Sequence, residues 1–246
     1  MPLGAIIPRK LIDDATLVVR DAPRSPLAER YRSLVQRLIA EHATGRQAQQ
    51  VITVTSAAPN EGKTTTVMNL GLALAERKDH STLLIDADLR RPSVSKYVTP
   101  APQVGLSDVL QGEARVEHAL IELQDAKLTM LPAGSLVLNP QELLRSQFVK
   151  ALFADLRRQF DYILIDTPPV VPFTDASVLG TLSDGIVLVV RAGKTPRPLV
   201  ERAIDAVSSG RMLGVVLNAV QITPVDRYYY KYDEYNPDRY TIRDEE

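Results

Sequence analysis

Apolar residues along the chain fall into two rhythms. Short runs rich in β-branched residues predict buried strands: Val51-Ile52-Thr53-Val54-Thr55, Leu83-Leu84-Ile85, Ile163-Leu164-Ile165, Ile186 to Val190, and Leu213 to Leu217. Lys127 to Leu131 predicts another strand, closed by Pro132-Ala133-Gly134. Between these runs apolar positions recur at helical spacing. Val67, Leu70, Gly71 and Leu74 make one such face. Val149, Leu152, Phe153, Leu156 and Phe160 make a long second one, opened by Asn139-Pro140-Gln141-Glu142, which reads as a capping box. Val200, Ala203, Ile204 and Val207 make a third, beginning at Pro198. Alternation of strands with helices of about 10–15 residues predicts an α/β fold: a doubly wound, mostly parallel sheet flanked by helices.

Upstream, Ser25-Pro26 has the pattern of an N-cap followed by proline at the first helical position. Leu27, Tyr31, Leu34 and Leu38 then give one apolar face, and Glu29, Arg30, Arg32 and Arg37 a polar one. That polar face suits either solvent or a subunit contact. Residues 100–126 read as helical segments with turns at Pro100, Pro102, Gly105 and Gly112. The expected organisation is an N-terminal arm over 1–24, a nucleotide-binding domain over 25–225, and a tail over 226–246.

Composition narrows the function classes. A net charge of −1 gives no global signal for nucleic-acid binding. Without cysteine there is neither a disulfide nor a thiolate metal site. No apolar run approaches the roughly 18 residues of a membrane span. The N-terminus lacks the apolar region of a signal peptide. A soluble, cytoplasmic chain is expected, with any membrane association supplied by a partner.

The chemistry is concentrated after the first strand. Ser56-Ala57-Ala58-Pro59-Asn60-Glu61-Gly62-Lys63-Thr64-Thr65-Thr66 lies between that strand and a helix, the layout of a phosphate-binding loop. The loop from Pro59 through Thr65 would face phosphate oxygens, its N–H groups from Asn60 onward pointing at them with help from the helix dipole. Lys63 would reach the β- and γ-phosphates of ATP, and the Thr64 hydroxyl would ligate Mg²⁺. The usual pattern has glycine where this chain has Ala57. The next strand ends in Asp86-Ala87-Asp88, two carboxylates that share a face if the chain stays extended. They would repel unless a cation such as Mg²⁺ lay between them. Asp166 ends another strand ahead of Pro168-Pro169 and fits a role orienting the metal shell opposite Thr64. Asn218, at the end of the last strand, is both donor and acceptor and can pair with an adenine edge or cap a turn.

The tail breaks the pattern. Six of the nine tyrosines lie there: Tyr228, Tyr229, Tyr230, Tyr232, Tyr235 and Tyr240. With few aliphatic residues and many charges, a segment of this composition buries no core. Its acidic balance after residue 232 argues against nucleic acid, and exposed phosphoacceptors are the better reading.

Taken together, these motifs resemble the bacterial tyrosine kinases of exopolysaccharide and capsule assembly, on the P-loop fold shared with MinD and ParA. The resemblance covers about residues 25–246. It rests on Ser56 to Thr65, Leu83 to Arg90, Ile163 to Pro169 and the terminal tyrosines. It implies transfer of the ATP γ-phosphoryl group to tail tyrosines of a neighbouring subunit, with Lys63, Asp86 and Asp88 catalytic. It implies Mg²⁺ held by Thr64, Asp86, Asp88 and Asp166, and Arg90 steadying phosphates or the tail. MinD and ParA relatives carry a lysine where this chain has Ala58, which favours the kinase branch. A family motif, E-x-x-R-x-x-R, that builds a ring is matched by Glu29 and Arg32, whereas its third position is Val35. The implied partners are other copies of the chain, a separate inner-membrane polysaccharide co-polymerase and a tyrosine phosphatase. The alternatives are an ATP-switched assembly protein with water as acceptor, and a scaffold that binds nucleotide without chemistry.

Overall fold

A computed structural model describes residues 9–40 and 51–221. In chain order the elements are β1 (Lys10–Leu11), α1 (Val18–Asp21), α2 (Pro26–Ala40), β2 (Val51–Ser56), α3 (Lys63–Ala75), β3 (Thr82–Asp86), β4 (Val98–Thr99), α4 (Leu106–Leu110) and α5 (Val116–Ala119). They continue as β5 (Ile121–Leu123), β6 (Leu128–Leu131), α6 (Pro140–Arg145), α7 (Gln147–Leu156), β7 (Tyr162–Asp166), α8 (Asp175–Gly180), β8 (Gly185–Arg191), α9 (Arg197–Ala206) and β9 (Met212–Asn218).

Seven strands form one sheet in the order β5-β6-β3-β7-β2-β8-β9. Every neighbouring pair is parallel except β5 and β6. This is the doubly wound sheet expected from the alternation of elements. The three central strands are buried along their whole length, because helices cover both faces. Ile52, Val54, Leu84 and Leu164 face a layer that includes α1, α2 and α3. Leu83, Ile85, Ile163 and Ile165 face the opposite layer, with α4, α6 and α7. Burying each such side chain stabilises the fold by about 1.5–3 kcal/mol. Ala176 on α8 and Ala203 on α9 close a third cluster over Ile186, Leu188 and Val190 of β8.

Several local expectations are revised. Residues 100–126 are not all helical: Ile121-Glu122-Leu123 alternates buried, exposed, buried and pairs antiparallel with β6 at the sheet edge. The long helix after Asn139 is two helices, broken where Ser146 adopts an extended ψ of 154°. Pro140 does open α6, but the Asn139 side chain makes no capping bond. Ser25 does cap α2, its hydroxyl accepting the Ala28 N–H at 3.2 Å. On α2 the inward face is turned from the expected one: Leu27 is 50% exposed, while Ala28 and Val35 are buried beside Tyr31, Leu34 and Leu38.

The stretch read as an arm is partly built into the domain. Lys10 and Leu11 pair with Thr99 and Val98, and Leu17 and Val19 are buried. Asn69 on α3 ties this segment down, accepting the Val19 N–H at 3.1 Å and donating to the Thr16 carbonyl at 2.7 Å.

Candidate active site

Because β3, β7 and β2 are adjacent and parallel, the loops leaving their carboxyl ends meet at one place. Asp86 and Asp166 end their strands directly opposite each other in register. The loop after β2 turns through Asn60 (φ 63°) and Gly62 (φ 85°) before α3 begins at Lys63. A side chain at Gly62 would meet the Asn218 amide nitrogen at 2.0 Å, so glycine is required there by both backbone and space. Ala57, where the usual loop has glycine, is buried in the cluster under β8.

The loop, Asp88 and the Pro168–Phe173 segment line an open cavity of about 450 Å³. At its floor the Lys63 ammonium donates to Asp166 Oδ1 at 2.6 Å and lies 3.7 Å from Asp88 Oδ2. The Thr64 hydroxyl donates to Asp166 Oδ2 at 2.7 Å and sits 2.8 Å from the Ser93 hydroxyl. Thus Lys63, Thr64, Asp88 and Asp166, predicted from three separate stretches, are one cluster.

Asp86 behaves differently. Its carboxylate is fully buried and accepts the backbone N–H groups of Asp88 (3.2 Å), Ser93 (3.2 Å) and Val94 (3.0 Å). Rather than facing the cavity beside Asp88, it folds the loop that carries Asp88 and Ser93. Burial, then the charge of Asp166, pushes its pKa up to about 7, against the pull of the Val94 N–H and Lys63. Burial also raises Asp88, against the pull of Lys63. For Lys63 burial works against the charge, but Asp166, Asp88 and Asp86 outweigh it and hold the ammonium pKa above the ordinary lysine value.

Two of the predicted nucleotide-binding residues brace the loop instead. The Glu61 carboxylate accepts the Ala58 N–H at 2.9 Å and also bonds the Thr195 hydroxyl. Asn218 donates its amide to the Glu61 carbonyl at 2.8 Å. Asn218 is therefore placed against the phosphate loop, and the structure does not bring it to the cavity lining as an adenine contact.

Comparison with known proteins adds the family. A family model described as "AAA domain" matches residues 49–196. Tyrosine-protein kinase YwqD of Bacillus subtilis (strain 168) is 33% identical over 216 residues, covering 87% of this chain and 90% of that protein. This chain belongs to the bacterial tyrosine kinases. Succinoglycan biosynthesis transport protein ExoP of Rhizobium meliloti (strain 1021) is 36% identical over 216 residues, 86% of this chain and 27% of that longer protein. The solved chimerical protein CapA2B2 superposes with a TM-score of 0.77 at 29% identity, covering 87% of this chain and 94% of that one.

Around the cluster stand residues that sequence reading did not pick out. Asp175, buried at the start of α8, holds Arg90 through bonds of 2.6 and 3.3 Å. The Arg90 guanidinium also lies 4.3 Å from the centre of the Phe173 ring. Arg90 is thereby fixed to the Pro168–Asp175 segment on the cavity wall. Ser93 and Thr195 carry no motif of their own; only the fold brings them to Thr64 and Glu61.

Glu29 and Arg32 lie on α2, away from this cluster. Arg32 makes a two-pronged pair with Glu76 just past α3, both bonds 2.7 Å, and a third contact with Glu29 at 3.2 Å. Val35, the departing position of the ring motif, is core rather than surface. The six tail tyrosines lie outside the described residues. Among the described residues no helix is long and apolar enough to cross a membrane.

Proposed function

We propose that this kinase transfers the γ-phosphoryl group of ATP to tail tyrosines of a neighbouring copy of the chain, in control of exopolysaccharide chain length or export. The observation that carries the reading is the convergence of Lys63, Thr64, Asp88 and Asp166 at the floor of one cavity above three parallel strands. Its relatives' names, a tyrosine-protein kinase and a succinoglycan biosynthesis transport protein, supply the acceptor and the setting.

The donor set suits Mg²⁺. Among the described residues no three acidic or histidine side chains make a ready metal cage. Mg²⁺ asks for less: one or two carboxylates, waters and phosphate oxygens. Thr64, Asp88 and Asp166 are the residues that would hold it, and it would supply charge neutralisation on the phosphates. Asp86 serves the same site at one remove, by folding the loop that carries Asp88.

Lys63 leaves Asp166 for the β- and γ-phosphates when nucleotide enters, and stabilises charge moving to the leaving oxygen. The loop amides do the same through the backbone. Asp88, raised in pKa and at the cavity edge, takes the phenol proton. The phenolic oxygen bonds to the γ-phosphorus as the bridging oxygen of ADP departs. A tyrosine with pKa about 10 is a weak nucleophile until that proton is shared. A co-polymerase in the inner membrane, a tyrosine phosphatase and other copies of the chain are the partners this role requires.

Incubation of the full chain with Mg²⁺ and ATP, followed by mass spectrometry of the tail, tests the proposal. Added phosphate at residues 228–240, absent in Asp88→Asn, is expected. ATP loss with no phosphotyrosine would make the protein a nucleotide switch instead.

A further inference from the structure

Two cations at the cleft are left over by the transfer chemistry. Lys63 is paired with Asp166, and Arg90 with Asp175. Arg91 and Lys96 also line the cavity, both exposed, and among the described residues neither side chain has an acidic partner. Their backbone is anchored all the same. The Arg91 N–H donates to Asp88 Oδ1 at 3.0 Å, and the neighbouring Ser93 and Val94 amides are held by Asp86. Next to Lys96, the Tyr97 hydroxyl lies 3.2 Å from that of Thr65 on α3. Both cations thus ride on a segment pinned to the site.

A matching anion is written in the tail. Tyr232 and Tyr235 bracket Asp233-Glu234. Tyr228, Tyr229 and Tyr230 lie instead between Arg227 and Lys231, and Tyr240 follows Arg239. The last strand before the tail ends near the cleft, because β9 closes at Asn218, whose amide holds the phosphate loop. From Gln221 to Tyr232 is about 11 residues, a reach of up to roughly 36–40 Å.

We propose that Arg91 and Lys96 form an acceptor subsite for acidic tyrosine segments, so that Tyr232 and Tyr235 are phosphorylated first and the Tyr228–Tyr230 run last. The idea rests on the tail-kinase reading and adds an order to it. Asp233 and Glu234 reach the two cations while an adjacent phenol faces Asp88. Arg227 and Lys231 repel the same cations and keep the triple tyrosine out until the acidic pair is seated.

The dephosphorylated full chain is given Mg²⁺ and ATP, and initial rates are read at each tyrosine by mass spectrometry. In the wild type Tyr232 and Tyr235 should lead Tyr228–Tyr230 by about fivefold, the scale of two exposed charge pairs. Arg91→Ala with Lys96→Ala should erase that lead and leave the KM for ATP unchanged. Asp233→Asn with Glu234→Gln should erase it equally, and all four substitutions together should do no more. Salt raised to about 300 mM should shrink the wild-type lead. An undiminished lead in the Arg91/Lys96 variant overturns the subsite. So does an equal fall at all six tyrosines with a raised KM for ATP, which would assign the two cations to the nucleotide.

A second measurement separates the subsite from the chemistry. A labelled synthetic peptide spanning residues 226–240 is titrated with full chain, and anisotropy is read. Binding weakened about fivefold by the Arg91/Lys96 pair of substitutions supports the subsite, even if no phosphotyrosine forms and the transfer reading falls. Binding indifferent to that pair overturns it.

Discussion

Lys63→Met offers a test of how the site is held together, apart from its chemistry. The substitution keeps an unbranched apolar stem and removes the charge facing Asp166, Asp88 and Asp86. Asp166 is fully buried and 2.6 Å from the ammonium, so its carboxylate is left without the partner that balances it. Breaking a buried ion pair costs about 3–5 kcal/mol, and protonation of the stranded carboxylates offsets part of this. A net loss of about 3 kcal/mol at about 2–4 °C per kcal/mol, for a domain of this size, lowers Tm by about 6–12 °C. The pH dependence has a definite sign. Asp86 is already raised to about 7 by burial and Asp166, and Asp88 is raised by burial. Without Lys63 both rise further. A carboxylate whose folded pKa exceeds its unfolded value contributes stability at low pH that is lost as pH climbs through the folded pKa. The deficit of the variant should therefore be largest near about pH 8.5 and shrink towards about pH 5.5. Mg²⁺ at about 10 mM should raise the variant's Tm more than the wild type's, since a cation is no longer in the way. Thermal melts at both pH values, with and without Mg²⁺, measure all of this. A variant that melts within about 1 °C of the wild type at pH 8.5 without Mg²⁺ would refute the electrostatic account.

Other substitutions probe the frame around the site. Gly62→Ala places a methyl 2.0 Å from the Asn218 amide at a φ of 85°, and should weaken ATP binding at least about tenfold by calorimetry, because loop strain of about 1–3 kcal/mol falls on the cradle. Arg32→Ala removes a partly exposed pair with Glu76 and should cost less than about 1 kcal/mol in urea melts, while sedimentation should show weakened self-association. Equal loss of fold and assembly would confine Arg32 to the monomer. Asp161→Asn should matter little. The Ser81 N–H and hydroxyl depress the Asp161 pKa, and the group is half exposed, so its contribution is well under about 1 kcal/mol after screening. That contribution is present above the unfolded pKa of about 4 and lost as pH falls through the depressed folded value, so the gap between wild type and variant should narrow as pH falls below about 4.

The central strands were legible because they are buried on both faces, and burial of that kind leaves an unbroken apolar run. The parallel order was legible because helices intervene. Edge and break features were not. Ile121-Glu122-Leu123 is too short to show a period, and nothing local announces the break at Ser146. On α2 the inward face was misplaced because Ala28, which is fully buried, contributes no strong apolar signal.

Within the site, the pair Asp86 and Asp88 shows where a spacing rule stops. Alternate residues share a face only while the chain remains extended. Strand β3 ends at Asp86, and the chain then turns so that the Asp88 N–H comes back to the Asp86 carboxylate at 3.2 Å. The two acids thereby leave the common face and divide the work. Asp86, with three amide donors and no exposure, fixes the loop. Asp88, 3.7 Å from Lys63 and at the cavity lining, keeps an oxygen for chemistry. The three amide donors must be supplied by a particular loop path, through Ser93 and Val94, that no periodicity encodes. A carboxylate's identity is readable from the chain, but whether it binds its own backbone or a substrate depends on which N–H groups the fold brings to it.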